Sequence, residues 1–584
     1  MKDIVTNWNK LLGRSYTSVN TNTNHKIRRS GDECRTDSPK NLALNLLHGN
    51  FRSILTIAFF GLITFGSGLF ILLAQPYDFL FKLKGVFSDG GEIFEIWRKP
   101  PVDLYLRVFL YNVTNKEAFM RGEEKLRVEE VGPYVYKETL VHDEIVFNEN
   151  GTLTSVPKHP LEWVAELSEG RKEDDQLILP HIALLSIAHV VSTSSFITRL
   201  GLNMVIRQTD SQPLVQMSAK EFMFGYYSTL MSLGYKFMPT WISFETLGLI
   251  DRMYDFDGDF ETIFTGEYDV TKTGLLDTYR GSKQLPQWEG ACGNVNNASD
   301  GTKFRGHLKP NDTLLFFRKS MCRAQTLVPV NKTTASGLEG YVYNFEKNAN
   351  DNGKYRSENS CFCNENECLP AGLLDVHGCY YGFPIATSYP HFLEADPSVR
   401  EHVDGSNPDP AKHKSYFIIE PKSGLPLEVA ARFQINMVLG DLESMAHVEQ
   451  FSNMVLPLLW TESRLYNLPD GLQTRFQLYL NVLPVVETVS MYSSFVFGVI
   501  LMTVAVYKYL QKVKTISRVC KPTWNDECTE EDPSRKFARS ISYNTMRRES
   551  MSDRELQSYY SSLMAPLNQD ITRDESQNLK EVDL

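Results

Sequence analysis

The hydrophobic pattern divides the chain before any motif is read. Residues 54–73 are twenty positions without a charged side chain, and residues 488–506 are nineteen. A helix of about 20 residues, rising 1.5 Å per residue, crosses the ~30 Å hydrocarbon core of a bilayer. A buried core helix is the competing reading of any apolar run. Tyr77, Phe79 and Phe81 follow the first segment, however, and Tyr507 and Tyr509 the second; aromatic borders suit the headgroup region. The pattern therefore predicts two transmembrane helices, at 54–73 and 488–507. The first lies too far from Met1, and is too long, for a cleaved signal peptide, so it reads as an uncleaved signal-anchor. Residues 177–198 also lack Asp, Glu, Lys and Arg, but Pro180, His181, His189 and the polar run from Ser192 to Ser195 interrupt them. That stretch reads as helix outside the membrane rather than a third span.

Between the spans the pattern is mixed. Residues 103–111, DLYLRVFLY, alternate like a half-buried strand, and residues 416–420 are strand-like. Gly132-Pro133 reads as a turn before Tyr134 to Tyr136. Residues 177–206 and 218–234 read as helices. In the second, Phe222, Tyr226, Leu230 and Leu233 recur at helical spacing and form an apolar stripe, a pattern that more often packs a core than faces a ligand.

Lysine and arginine set the orientation. Lys508, Lys512, Lys514, Arg518 and Lys521 follow the second span with no acid among them, whereas the twenty residues before it hold only Arg475. The positive-inside rule places that end in the cytosol. Around the first span Lys40 and Arg52 balance Lys82 and Lys84; the cluster Lys26, Arg28, Arg29 and Arg35 favours a cytosolic N-terminus, and two spans put both termini on one side. The expected organisation is a cytosolic tail 1–53, a span 54–73, an extracellular or luminal ectodomain 74–487, a span 488–507 and a cytosolic tail 508–584.

Composition and chemistry sharpen this partition. Glycosylation sequons begin at Asn112, Asn150, Asn297, Asn311 and Asn331, all between the spans. Of nine cysteines, Cys34, Cys520 and Cys528 lie in the tails, while Cys292, Cys322, Cys361, Cys363, Cys368 and Cys379 lie between the spans. An even number in an oxidising compartment reads as disulfides, with fifteen connectivities open; a thiolate metal site is the weaker alternative. The net charge of -11 divides into +5 for residues 1–53, 0 for 508–584 and -16 for the remainder. That balance argues against nucleic-acid binding. No G-x-S-x-G, H-E-x-x-H or Walker A pattern occurs, so no enzyme, metal or cofactor is expected. The acidic run Asp255-Phe256-Asp257-Gly258-Asp259-Phe260-Glu261 does not fit the EF-hand register and reads as a solvated turn.

Several stretches together resemble the class B scavenger receptors. They are Gly132-Pro133-Tyr134-Val135-Tyr136, Asp277-Thr278-Tyr279 with Gly281, Trp288-Glu289, the Cys361-Phe362-Cys363 pair with Cys368 and Cys379, Pro390-His391-Phe392-Leu393, Asp404-Gly405, and Glu420-Pro421 followed by Gly424. The resemblance runs from about residue 54 to 507 and leaves out the long tails. It is to the fatty-acid translocase and lysosomal integral membrane protein type, with this chain an invertebrate-like member. It implies an α+β fold: an irregular antiparallel β-barrel core, an apical helical bundle and an internal lipid tunnel between two terminal transmembrane helices. It also implies the bridges Cys292–Cys361, Cys322–Cys379 and Cys363–Cys368.

The function implied is a receptor that binds lipids or lipid-carrying particles and passes lipid (a sterol, carotenoid or fatty acid) through the tunnel to the bilayer. The alternative is a sorting receptor that delivers a luminal protein to endosomes or lysosomes. Ligand contacts would fall on the apical helices, where Phe196, Arg207, Phe222 and Tyr226 are the candidates. The segment Arg207-Gln-Thr-Asp210 offers one cation beside an acid, which favours neutral lipids over anionic particles. In the C-terminal tail, Tyr560-Ser-Ser-Leu563 and Tyr543-Asn-Thr-Met546 have the form of sorting signals for an endocytic adaptor, and Cys520 is a candidate for acylation. The plasma membrane is the expected location, with an endosomal or lysosomal membrane the alternative.

Overall fold

The computed structural model describes residues 39–237, 245–254, 258–363 and 368–519. Among the described residues, two helices are long and apolar enough to cross a membrane, within Phe51–Ala74 and within Asp470–Thr515. Leu62, Phe70, Val489 and Phe497 on them point away from the protein, as lipid-covered side chains do. The two helices also touch: Phe65 meets Phe495 edge-on at 5.2 Å, and a Cβ on Gly498 would come within 2.8 Å of Phe65. Glycine is what permits that approach. Residues through Gln511 form one compact unit, and the next, from Lys512, is described only as helix to Val519.

The apolar stretch near residue 180 is not a membrane helix. It forms the strand Gln176–Pro180 and the helix Ile182–Ser192, whose eleven residues reach only about 16 Å. Leu184, Leu185 and Ala188 on it are fully buried. The second predicted helical stretch is broken. Gly225, at φ 138°, stops the helix Ala219–Phe224; the short strand Tyr226–Tyr227 follows, and a new helix runs Thr229–Phe237.

The centre of the molecule is a twelve-stranded sheet. Its main path runs Leu314–Arg318, Arg323–Ala335, Leu338–Phe345, Tyr416–Ile419, Pro426–Val438, Val455–Leu465, Leu104–Val113, Leu126–Glu138 and Val403–Asp404. All pairings on this path are antiparallel except the last. Among the described strands the path is open: its two ends do not pair, so no closed barrel forms. The fold is mixed α/β with large antiparallel sheets. A four-stranded antiparallel sheet of Val141–Phe147, Thr152–Lys158, Glu261–Phe264 and Leu276–Tyr279 stands beside it.

Two local expectations change. The strand Leu104–Val113 is buried on both faces from Val108 to Tyr111, because it is central and covered on each side. Gly132 and Pro133 are not a turn. They lie inside the strand Leu126–Glu138, where the register slips opposite Phe109. A Cβ on Gly132 would sit 2.8 Å from the Val108 carbonyl, so this bulge takes glycine.

Candidate functional site

A cavity of about 200 Å³ opens between the large sheet, the smaller sheet and two short helices. Val429, Ala431 and Phe433 are successive same-face residues of one strand and line it together. Phe316, Phe345 and Phe417 add an aromatic wall, with Phe417 in ring contact with both of the others. Ile93, Ile96 and Trp97 come from the helix Glu92–Arg98, and Leu472 and Phe476 from the helix Asp470–Gln477. The last helix leads, through the π-helical turn Leu478–Val482, directly into the second membrane-length helix. The cavity therefore lies beside the membrane anchor.

Its polar wall is charged and in part internally paired. Glu138 is buried and takes Arg318 Nη2 at 3.2 Å and His159 Nδ1 at 2.7 Å. Burial alone would push this carboxyl up; Arg318 and His159 outweigh it and hold the group at about 2. Asp259 receives Lys319 Nζ at 2.8 Å, Arg280 Nε at 3.0 Å and the Tyr279 hydroxyl. Lys303 Nζ donates to the Thr273 and Phe304 carbonyls at 2.8 and 3.3 Å, and burial pushes it down to about 8. The result is a mainly apolar space in whose wall Glu138, Arg318 and Lys319 have charged partners, whereas Lys303 is held by carbonyls. The acidic segment read as a solvated turn is thus partly interior: Asp259 and Glu261 are both buried, while Asp255 to Asp257 lie outside the described residues.

The candidate ligand contacts separate. Phe196 and Arg207, on the helix Phe196–Gln208, are exposed, whereas Phe222 and Tyr226 are in the core. Tyr226 packs on His181, and its hydroxyl accepts from the Ala183 N–H at 3.3 Å. Helical spacing could not tell which way that stripe faced. Phe196, Ile197, Leu200 and Met204 instead make an exposed apolar face on one helix, of which only Phe196 was among the candidates.

Disulfides join Cys292 to Cys361, Cys322 to Cys379 and Cys363 to Cys368. Asn150, Asn297, Asn311 and Asn331 are exposed; Asn112 is half-buried, and its Oδ1 accepts from the Ile178 N–H at 2.9 Å. Tyr560, Leu563, Tyr543, Cys34, Cys520 and Cys528 lie outside the described residues. Among the described residues, two clusters of three bring histidine and carboxylate together: Glu130 with His391 and His413, and His142 with Glu261 and Asp300. In the first, Glu130 Oε2 accepts from Trp460 Nε1 at 2.7 Å and from His391 Nε2 at 2.6 Å, and backbone N–H groups of Asn407 and Asp409 occupy the Nδ1 atoms of the histidines. That cluster is satisfied by its own hydrogen bonds.

Residues 57–509 match the model of the CD36 family. The chain belongs to the CD36 family. Scavenger receptor class B member 1 of Cricetulus griseus is 30% identical over 407 residues, 69% of this chain and 79% of that protein. Protein peste of Drosophila melanogaster is 27% identical over 421 residues, covering 70% and 75%. Lysosome membrane protein 2 of Rattus norvegicus is 29% identical over 378 residues, covering 64% and 77%. With two membrane-length helices, this CD36-family chain is a membrane protein of the scavenger-receptor type.

Proposed function

We propose that the protein is a non-catalytic receptor that takes up lipid from lipids or lipid-carrying particles outside the cytosol and passes it through an internal route to the bilayer. The observation that carries this reading is the apolar cavity bounded by the helix Asp470–Gln477, which runs on into the second membrane-length helix. An apolar conduit keeps a lipid tail out of water, worth about 0.8 kcal/mol per CH2. Since the cavity's Arg318 and Lys319 are already paired with acids, neutral lipids such as sterols or carotenoids suit it better than anionic ones. Both termini are cytosolic in this reading, residues 74–487 form a glycosylated ectodomain at the plasma membrane, and Tyr560 to Leu563 engage an endocytic adaptor. Native mass spectrometry of the detergent-purified chain tests it. A co-purifying neutral lipid is expected; a chain free of lipid that also fails to take up added sterol contradicts it.

One observation favours a second reading, a sorting receptor for a luminal protein in endosomes or lysosomes. The exposed apolar face of Phe196, Ile197, Leu200 and Met204 offers a contact surface that a small-molecule conduit does not need. Phe196→Asp with Ile197→Ser should leave stability within about 0.5 kcal/mol. Loss of particle capture with retained surface location supports the first reading, and loss of a bound luminal protein the second.

A further inference from the structure

Three side chains in and behind the cavity wall point at one another, two of them facing the His142 ring beyond ordinary hydrogen-bond distance. His142, on the strand Val141–Phe147, is fully buried. Its ring stacks on Trp97 with centroids 3.8 Å apart, and its Nδ1 is 3.1 Å from the Trp97 carbonyl oxygen. A carbonyl oxygen only accepts, so Nδ1 carries a hydrogen, and in the neutral ring Nε2 then has a lone pair. That Nε2 faces Glu261 Oε1 at 3.5 Å and Asp300 Oδ2 at 3.6 Å. Neither Nε2 nor Glu261 Oε1 has a hydrogen-bond partner, although both are buried. Asp300 is held in place by its other oxygen, Oδ1, which accepts from the Thr302 N–H and hydroxyl at 2.8 and 2.6 Å.

An imidazole lone pair and two carboxylates need a positive charge between them. A proton on Nε2 would draw one carboxylate in to about 2.7–2.9 Å and leave the other unpartnered. The observed spacing is longer and nearly equal to both acids. Ligand atoms about 2.0–2.2 Å from a tetrahedral ion stand about 3.4 Å apart, close to the two distances from Nε2, and the three atoms all lie within 4.8 Å of one another. A histidine whose second nitrogen donates to a backbone carbonyl also has the outer hydrogen bond that orients metal-binding imidazoles.

We propose that His142, Glu261 and Asp300 bind a divalent transition-metal ion of the zinc class, through Nε2 and one oxygen of each carboxylate. The ion ties the four-stranded sheet to the turn at Asp300, and through Trp97 to the helix Glu92–Arg98. Glu261 and Asp300 both line the cavity, so the ion belongs to its wall.

The test uses the full chain in detergent, with Cys34, Cys520 and Cys528 alkylated so that thiols do not compete. The protein is stripped with a chelator, given zinc alone, desalted, and its metal counted by mass spectrometry beside Asp300→Asn. Wild type is expected to retain about one ion per chain, with affinity falling by at least about tenfold in the variant. A second readout needs no variant: added cobalt should give the visible absorption of a four-coordinate nitrogen–oxygen site, abolished by zinc. Equal zinc retention by wild type and folded Asp300→Asn, or a cobalt spectrum without that absorption, overturns the proposal and leaves His142 held by a proton.

Discussion

Glu138 illustrates how single residues let charge sit beside an apolar space. Its carboxylate has no exposed side-chain surface and is balanced by Arg318 and His159. Arg318→Met therefore leaves a buried carboxylate short of its main partner and should cost about 3–5 kcal/mol, read as a fall in Tm. Adding Glu138→Gln to that variant should restore most of the loss. The pH dependence has a definite sign. The folded-state pKa of Glu138 lies below its ordinary value, so the contribution is present above about 4.5 and is lost as pH falls toward about 2. A double variant as unstable as Arg318→Met alone would show that the pair is not the source. None of this was legible from sequence. Glu138, His159 and Arg318 are apart in the chain, and an acid such as Asp259 looks solvated until its Lys319 and Arg280 partners are placed.

At the scale of elements, the helix Ile182–Ser192 depends on a neutral histidine. His181 Nδ1 accepts the Leu184 N–H at 2.9 Å and so caps the first turn. Burial pushes this imidazole down to about 4, and burial likewise lowers His189, whose Nδ1 accepts the Gly440 N–H. An unfolded histidine titrates near 6.5. Stability is therefore present above that value and is lost as pH falls from about 6.5 to about 4, the range of acidifying endosomes. Hydrogen exchange of this helix, corrected for the intrinsic rate, should accelerate from pH 7 to pH 5. His181→Asn, a cap that does not titrate, should retain only the part due to His189. An unchanged pH dependence in that variant would rule His181 out. Elements of this kind were partly readable. Alternation marked the strand Leu104–Val113, but Gly132-Pro133 looked like a turn because a bulge and a turn use the same residues, and their difference lies in the partner strand.

The whole molecule was most legible where one-dimensional pattern suffices. Uncharged runs of membrane length need no partner to be recognised, and the structure has helices there. The cavity is the opposite case. Its lining is drawn from positions between Ile93 and Phe476, so no local window contains it. The topology is tested by glycan mapping. If residues 74–487 lie on one side of the membrane, Asn150→Gln and Asn311→Gln should each remove one glycan from the mature protein; glycans at both exclude an odd number of crossings between them. The conduit itself is tested by filling it. Ala431 lines the cavity on the large sheet, whereas Val330, on the strand Arg323–Ala335, is exposed and outside it. Uptake of a fluorescent sterol should be measured in cells expressing wild type, Ala431→Phe or Val330→Phe at equal surface levels. Lipid passage through this cavity predicts that Ala431→Phe still captures particles but loses uptake toward background, with Val330→Phe unaffected. Undiminished uptake by folded Ala431→Phe would contradict it.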